Sequence, residues 1–540
     1  MPARFSWLVC ALIAVASPAG AQQAPPSFAE LEAAGAVIGE ITVDTHDIFD
    51  LDDPHENGFF YRAANALHIK TKPWLIRRYL LFKPGDRVSL RLVEETERLI
   101  RANSTVYDVT IRPLRYRDGV VDIEVRTRDT WTLQPSVRLR RAGGKNSGAF
   151  SLKETNFAGT GTAFGIERAS SVDRTGTLLT VQHDHLFDGW TSIAAQRASY
   201  DDGSAASLSV TRPFYALDTR WAAGAAASRF DRLDPFYQGG HNVAQYRHHG
   251  ELAEVFGGWS PGLLDGWTRR YTLGVTHQAD EYALDPGRAP PPQLPADRTL
   301  AGPYARYEVI HDDYLQVMNR DLIHRPEFLA MGFQSTLQVG RSLAAFGATD
   351  QPWLVSGTAS KGVRLAMPGH QLLTSAGFSA QYGSSIGDVR TLGGSVRYFL
   401  PQTGSFVLYL AASSDNVWSP NQADELLLGG DNGLRGYPLR YQRGTHRMLF
   451  TAEQRYYTDW YPFRLFRVGA AVFCDVGRAW GSETPNPTNG WLSDFGVGLR
   501  ILSARASFGN TLHIDLAVPV NRSDPSVKAV QLLVMTAKTF

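Results

Sequence analysis

From residue 130 to 540 the sequence is written in segments of about ten residues whose alternate positions are apolar, parted by clusters of Gly, Asp, Pro and Asn. A two-residue period sends successive side chains to opposite faces of a strand, so this stretch is sheet with one greasy face. In the clearest segment, Phe466, Val468, Ala470, Val472, Cys474 and Val476 share one parity, and Arg467, Gly469, Ala471, Phe473, Asp475 and Gly477 share the other. Phe495, Val497, Leu499 and Ile501 stand against Gly496, Gly498 and Arg500 in the same way, as do Leu512, Ile514, Leu516 and Val518 against His513, Asp515 and Ala517. Upstream, Met448, Phe450 and Ala452 oppose Leu449, Thr451, Glu453 and Arg455. Charge gathers on one parity only, which places Glu453, Arg455 and Asp475 inside a cylinder whose outer face meets hydrocarbon.

Beyond the first residues no apolar run approaches eighteen, so helical spans are excluded and a membrane crossing uses strands. A soluble sandwich accounts less well for so many long segments together with an aromatic share of 11% and a terminal Phe540. The expected fold is a transmembrane antiparallel β-barrel. Residues 130–540 supply sixteen strands at about 25 residues per strand and connection, whereas alternating segments number nearer nineteen. With both ends of the barrel on one side of the membrane the number is even, and sixteen is the expectation.

The start of the chain reads differently. Arg4, an apolar stretch over 8–16 and the small residues Ala19 and Ala21 predict a secretory signal peptide over 1–21, whose removal takes Cys10 with it. Only Cys474 then remains, so no internal disulfide forms. Residues 22–36, rich in Pro and Ala, read as a linker. Residues 37–129 read as strand, helices, strand, strand: 37–43 alternates, Ser89 is placed to cap a helix carrying Leu92, Val93, Leu99 and Ile100 on one face, and Asp118-Gly119 joins two strands in a hairpin. That order makes a small α+β module with helices on one face of its sheet. A net charge of +1 gives no field favouring nucleic acid.

Three local signals then occur in order. Gly429-Gly430-Asp431-Asn432-Gly433-Leu434-Arg435-Gly436-Tyr437 lies in a long polar segment near 416–446, Phe473-Cys474-Asp475-Val476-Gly477 follows two strands on, and the chain ends at Phe540. With these, residues 37–540 resemble the BamA/TamA superfamily of outer-membrane assembly and translocation barrels, the bacterial surface antigen family, which includes two-partner secretion transporters. The α+β module resembles that family's single polypeptide-transport-associated (POTRA) domain. The resemblance implies that 416–446 folds inward, with Arg435, Gly436 and Tyr437 as its tip and Phe473, Asp475 and Gly477 as the matching wall motif. It implies five strands after the tip and a carboxy-terminal barrel signal at Phe540, from which Lys538 departs where an apolar residue is usual. Parity independently puts Asp475 in the lumen, where Arg435 can bind it bidentately and Gly436 permits close approach, a contact worth about 1–3 kcal/mol if the lumen is water-filled.

The resemblance further implies an outer-membrane location with the module in the periplasm, a role in inserting or translocating client polypeptides, and outer-membrane lipid, unknown clients and periplasmic or lipoprotein accessory factors as partners. A dedicated two-partner-type transporter and a passive porin or receptor are the alternatives. Val137, Leu139 and Arg141 belong to a first strand that closes against the last, and an opened seam there would offer a strand edge; the segment 120–128 is a second candidate edge. No catalytic set is present: there is no Gly-x-Ser-x-Gly or His-Glu-x-x-His, and neither a cofactor nor a metal is expected. His183-Asp184-His185 and His248-His249 lack a third ligand and read as rim or loop residues.

Overall fold

A computed structural model describes residues 25–537 apart from 104, 188, 239–240, 403–404, 420–423, 484 and 505–510. The expected signal peptide, Lys538 and the terminal Phe540 lie outside the described residues. Twenty strands, the first Leu133–Ala142 and the last Gln531–Ala537, pair antiparallel around one closed ring, with a two-residue stub, Leu263–Leu264, alongside the ninth. Closure gives every strand of the ring a neighbour on both sides, which limits the unpaired backbone groups that would otherwise face lipid.

Sixteen strands is thus corrected to twenty. The connections are shorter than the length argument assumed: Leu133–Ala142 turns into Lys145–Phe157 through two residues. The even number demanded by parity stands, and five strands follow the long loop: His446–Tyr457, Phe466–Trp480, Leu492–Ser503, Thr511–Pro519 and Gln531–Ala537.

The two parities separate as their chemistry requires. Val472 and Phe495 are 60% and 53% exposed on the outside, while Glu453, Arg455, Asp475, Arg500 and Asp515 are buried inside. Bare apolar and dry ionic side chains invert the arrangement of a water-soluble protein and are stable where the exterior is hydrocarbon. Exposed Trp259, Tyr271 and Tyr307 stack across the eighth to tenth strands at the end nearest the amino-terminal module, the place of an interfacial aromatic girdle. Cys474 is exposed on the outer parity. In lipid vesicles a charged maleimide is expected to leave it unmodified until the protein is unfolded; ready modification in the vesicles would put Cys474 in water and reverse the parity.

The amino-terminal module comprises α1 (Phe28–Ala33), β1 (Val37–His46), α2 (Phe59–Leu67), α3 (Pro73–Arg78), α4 (Leu90–Ala102), β2 (Val106–Arg117) and β3 (Val120–Asp129). Its sheet runs β1-β3-β2, with β1 parallel and β2 antiparallel to β3. Leu31, Ile76, Val93 and Ile100 from the helices pack on Ile38, Val109, Val121 and Ile123 from the strands. Asp118 and Gly119 both adopt positive φ, as a two-residue hairpin turn requires.

Three expectations need correction. The segment read as linker holds α1, opened by a reciprocal Ser27–Glu30 capping box and committed to the core through Phe28 and Leu31. Ser89 occupies the position before α4 but makes no capping hydrogen bond. The strand 120–128 is no free edge, because the parallel β1 pairs its other side and leaves it central.

The module sits against the barrel's near mouth. Glu95 of α4 is buried: its carboxylate accepts the Leu217 N–H at 2.7 Å and an Arg91 bond at 2.8 Å, and Arg91 also binds Asp218. Burial pushes the Glu95 carboxyl above its ordinary range, against those donors. Arg78 donates to the His185 carbonyl at 2.5 Å, and Tyr61 to that of Phe463 at 3.0 Å. At the join, the buried Asp129 takes His68 at 2.9 Å and the Thr71 N–H at 2.7 Å.

Candidate functional site

The connection between the fifteenth strand, Phe406–Trp418, and His446–Tyr457 turns back into the barrel. A short pair, Leu426–Leu428 with Gln442–Gly444, forms its stem. Leu428, Leu434, Tyr437 and Tyr441 bury against Ala479, Leu492 and Val527, so apolar contact holds the loop body inward.

At its tip the resemblance-based pairing is present. Arg435 Nε donates to Asp475 Oδ2 at 2.7 Å and Nη2 to Oδ1 at 3.0 Å, a bidentate bond. Its Nη1 also reaches Glu453 at 2.9 Å and Asp515 at 3.3 Å, and the guanidinium lies 3.4 Å from the centroid of the Phe473 ring. Phe473 therefore has a defined task as the flat floor on which the cation rests. The Gly436 N–H donates to Asp494 at 3.0 Å; a Cβ there would fall 2.8 Å from Asp494 Cβ and 3.0 Å from Pro519 N, so only glycine fits. Tyr437 donates to the Ser493 carbonyl at 3.1 Å and accepts the Asn521 N–H at 3.2 Å. Gly477 leaves room for Leu428, whose Cδ2 would stand 3.3 Å from an added Cβ.

Asp475 and Asp494 are direct cross-strand neighbours. Two facing carboxylates repel, and the tip offsets that by bringing Arg435 to one and a backbone N–H to the other. In all, Arg435, Arg455 and Arg500 meet Glu453, Asp475 and Asp515 in one buried network, which Asp494 joins through the Gly436 N–H. The site is buried, so the water-filled estimate of its strength is superseded. Removing one partner of a buried pair costs about 3–5 kcal/mol because the other charge is stranded.

A second plug enters from the module's side. Residues 312–333, between Arg298–His311 and Gln334–Arg341, carry a hairpin of Tyr314–Met318 with Pro326–Ala330. Its tip is buried in the lumen: Ile323 packs with Phe399, Val407, Tyr457 and Leu502, and Arg320 Nε donates to Gln371 at 2.7 Å. The Glu327 carboxylate accepts backbone N–H groups of Arg320, Asp321 and Leu322, which fixes the turn.

The two plugs touch through two residues of one wall strand. Glu453 accepts Arg435 with one oxygen and Arg455 Nε with the other, both at 2.9 Å, and Arg455 Nη1 donates to the Arg320 carbonyl at 2.9 Å. Parity had placed Glu453 and Arg455 in the lumen; their joining of two loops, and the parts of Asp494, Arg500, Asp515 and Arg320, were missed. The unusual length of 312–333 between two alternating segments was the available signal.

His183 and His185 lie at the module-side end of a wall strand, a rim position, whereas His248 and His249 lie within a wall strand rather than in a loop. His248 is held between Asp234 at 2.7 Å and Asp280 at 3.0 Å, and His185 contacts the Gly189 carbonyl at 2.5 Å. Among the described residues no group of three or more His, Cys, Asp or Glu is arranged to hold a metal.

A closed antiparallel barrel with an apolar outer belt and an ionic, filled lumen is a plugged membrane-spanning barrel of the outer-membrane type. No protein-family model matches the chain, and no curated protein matches it. Among solved structures it is similar to BamA from Haemophilus ducreyi lacking POTRA domains 1–3, at 13% identity, TM-score 0.40, over 92% of this chain and 84% of that one. It is similar to CdiB from Escherichia coli at 13% identity, TM-score 0.48, over 92% and 76%. The FrpB iron transporter from Neisseria meningitidis aligns at 10% identity, TM-score 0.41, over 80% and 87%. At identities and scores this low they add nothing to the closed ladder and buried network, which define the barrel by themselves.

Proposed function

We propose that this chain is an outer-membrane barrel that assists insertion or translocation of client polypeptides, with its α+β module acting as a POTRA-like domain in the periplasm. The observation that carries the reading is the seam. Among the described residues the first and last strands share a single register pair, Arg141 with Val534, where Leu133–Ala142 and its other neighbour share ten. A seam held by few backbone pairs costs less to open than one held by many, and an open seam presents backbone donors and acceptors that a client strand satisfies by pairing. The module adds a second edge: β2 lies at the border of its sheet and contains Pro113, a residue tolerated at edges. A doubly plugged lumen speaks against a passive porin. Accessory periplasmic or lipoprotein factors would dock on the module.

The test is a seam clamp. Arg141→Cys with Val534→Cys, in a Cys474→Ser background, places two thiols on facing residues at a separation suited to a disulfide. Oxidation is expected to abolish function and reduction to restore it. Function is read as the surface abundance of other proteins after depletion of the native copy. Loss of many barrels indicates general assembly and loss of one indicates dedicated transport; full activity of the oxidised clamp, or no change on depletion, would remove the client-handling reading.

A further inference from the structure

α2 is amphipathic the wrong way round. At about 100° per residue, Phe59, Phe60, Ala63, Ala66 and Leu67 fall on one face, with Tyr61 and Asn65 opposite. In a water-soluble domain the first face packs inward. Here Asn65 and Tyr61 face the protein: Asn65 accepts the Phe49 N–H at 3.1 Å and donates to the Phe49 carbonyl at 2.9 Å, and the Tyr61 ring packs tilted against that of Phe49 at 4.8 Å between centroids. The apolar face is bare, with Phe59, Phe60 and Leu67 exposed by 79%, 82% and 79%, and no residue of the helix is buried.

The position of this face indicates what covers it. Tyr61 donates to the carbonyl of Phe463, in the turn joining His446–Tyr457 to Phe466–Trp480 at the barrel end where the module sits. In that turn Trp460 and Phe463 are themselves 65% and 76% exposed, and the outward residues Phe466 and Val472 of the next strand carry the apolar surface on into the lipid-facing belt. The Tyr61 bond thus holds α2 at the turn where the lipid-facing belt ends, and exposed Phe and Trp residues at that level suit the boundary between headgroups and acyl chains. Arg62, exposed beside the apolar face, bonds Asn57 through Nε, and Lys70 just beyond the helix lies 3.8 Å from Asp47; both keep exposed surface at the level where phosphate headgroups lie.

We propose that α2 is a membrane-surface anchor that lies along the bilayer leaflet on the module's side, with Phe59, Phe60 and Leu67 in the acyl boundary beside Trp460 and Phe463. It ties the module to the membrane as well as to the barrel, so the module's orientation depends on lipid. The inference stands whether or not the barrel handles clients.

The experiment uses the full chain in phosphatidylethanolamine–phosphatidylglycerol vesicles, in a Cys474→Ser background. Phe59→Cys and Leu67→Cys carry an environment-sensitive fluorophore, with Glu94→Cys on exposed α4 as the aqueous control. At 59 and 67 the expected result is blue-shifted emission, quenching by acyl-brominated lipid, and iodide quenching at least about threefold weaker than at 94. Iodide quenching equal to that at 94 would overturn the proposal. So would shielding that persists in lipid-free amphipol, whether it depends on protein concentration, which assigns the face to a second copy, or appears only with added unfolded polypeptide, which assigns it to a client. Phe59→Asp with Phe60→Asp leaves the barrel alone, and its expected effect is faster proteolysis of the module in vesicles but not in amphipol; equal rates in both would overturn the proposal.

Discussion

Replacing Arg435 by Ala is expected to lower the yield of folded barrel and to raise steady conductance through what remains. The substitution strands Asp475 in a buried site, at a cost of about 3–5 kcal/mol, takes one of their cations from Glu453 and Asp515, and leaves Asp475 facing Asp494 with no cation beside it. Several kcal/mol is a large fraction of a folded protein's margin. Arg435→Lys keeps the charge but loses the fork and the flat stacking on Phe473, so its effect should fall between wild type and Ala. Folded fraction is read by the heat-dependent shift of the barrel on gels after refolding into vesicles, and conductance in planar bilayers. Unchanged folding together with unchanged conductance would show that the buried network does not hold the loop.

The second large effect is expected at Glu453, which binds the loop tip directly and the second plug through Arg455. Glu453→Gln keeps the shape and removes the charge shared by Arg435 and Arg455, so the loop tip and the segment around Arg320 should loosen together. Loss of a buried ion-pair partner at about 3 kcal/mol or more corresponds to amide exchange faster by on the order of a hundredfold where protection comes from local opening. Hydrogen exchange is measured over 426–444 and 319–327 in parallel. Faster exchange in the first alone would mean that the second plug is held by Ile323 and its neighbours and that the two ends of the lumen are not coupled through this residue. Joint loosening would support a device in which movement of one plug, as a client engages, is felt by the other.

The sequence by itself determined whatever depends on neighbours along the chain. Alternation sorted Val472 and Phe495 from Glu453, Asp475 and Arg500, because a strand turns its side chains every second residue whatever surrounds it, and Asp118-Gly119 announced its hairpin through the positive φ both residues adopt. The Arg435–Asp475 bond was legible through family resemblance joined to that parity. What only the tertiary structure decided concerns partners across the ring or between the module and the barrel. Strand number depends on connection lengths, and a polar loop that folds inward, like 312–333, is written in the same residue types as one that stays in water. The burial of Glu95, the central place of β3, the meeting of Arg455 with the Arg320 carbonyl and the outward apolar face of α2 all follow from closure and docking. Those contacts join segments tens to hundreds of residues apart, and no local period encodes which distant surface a side chain will meet.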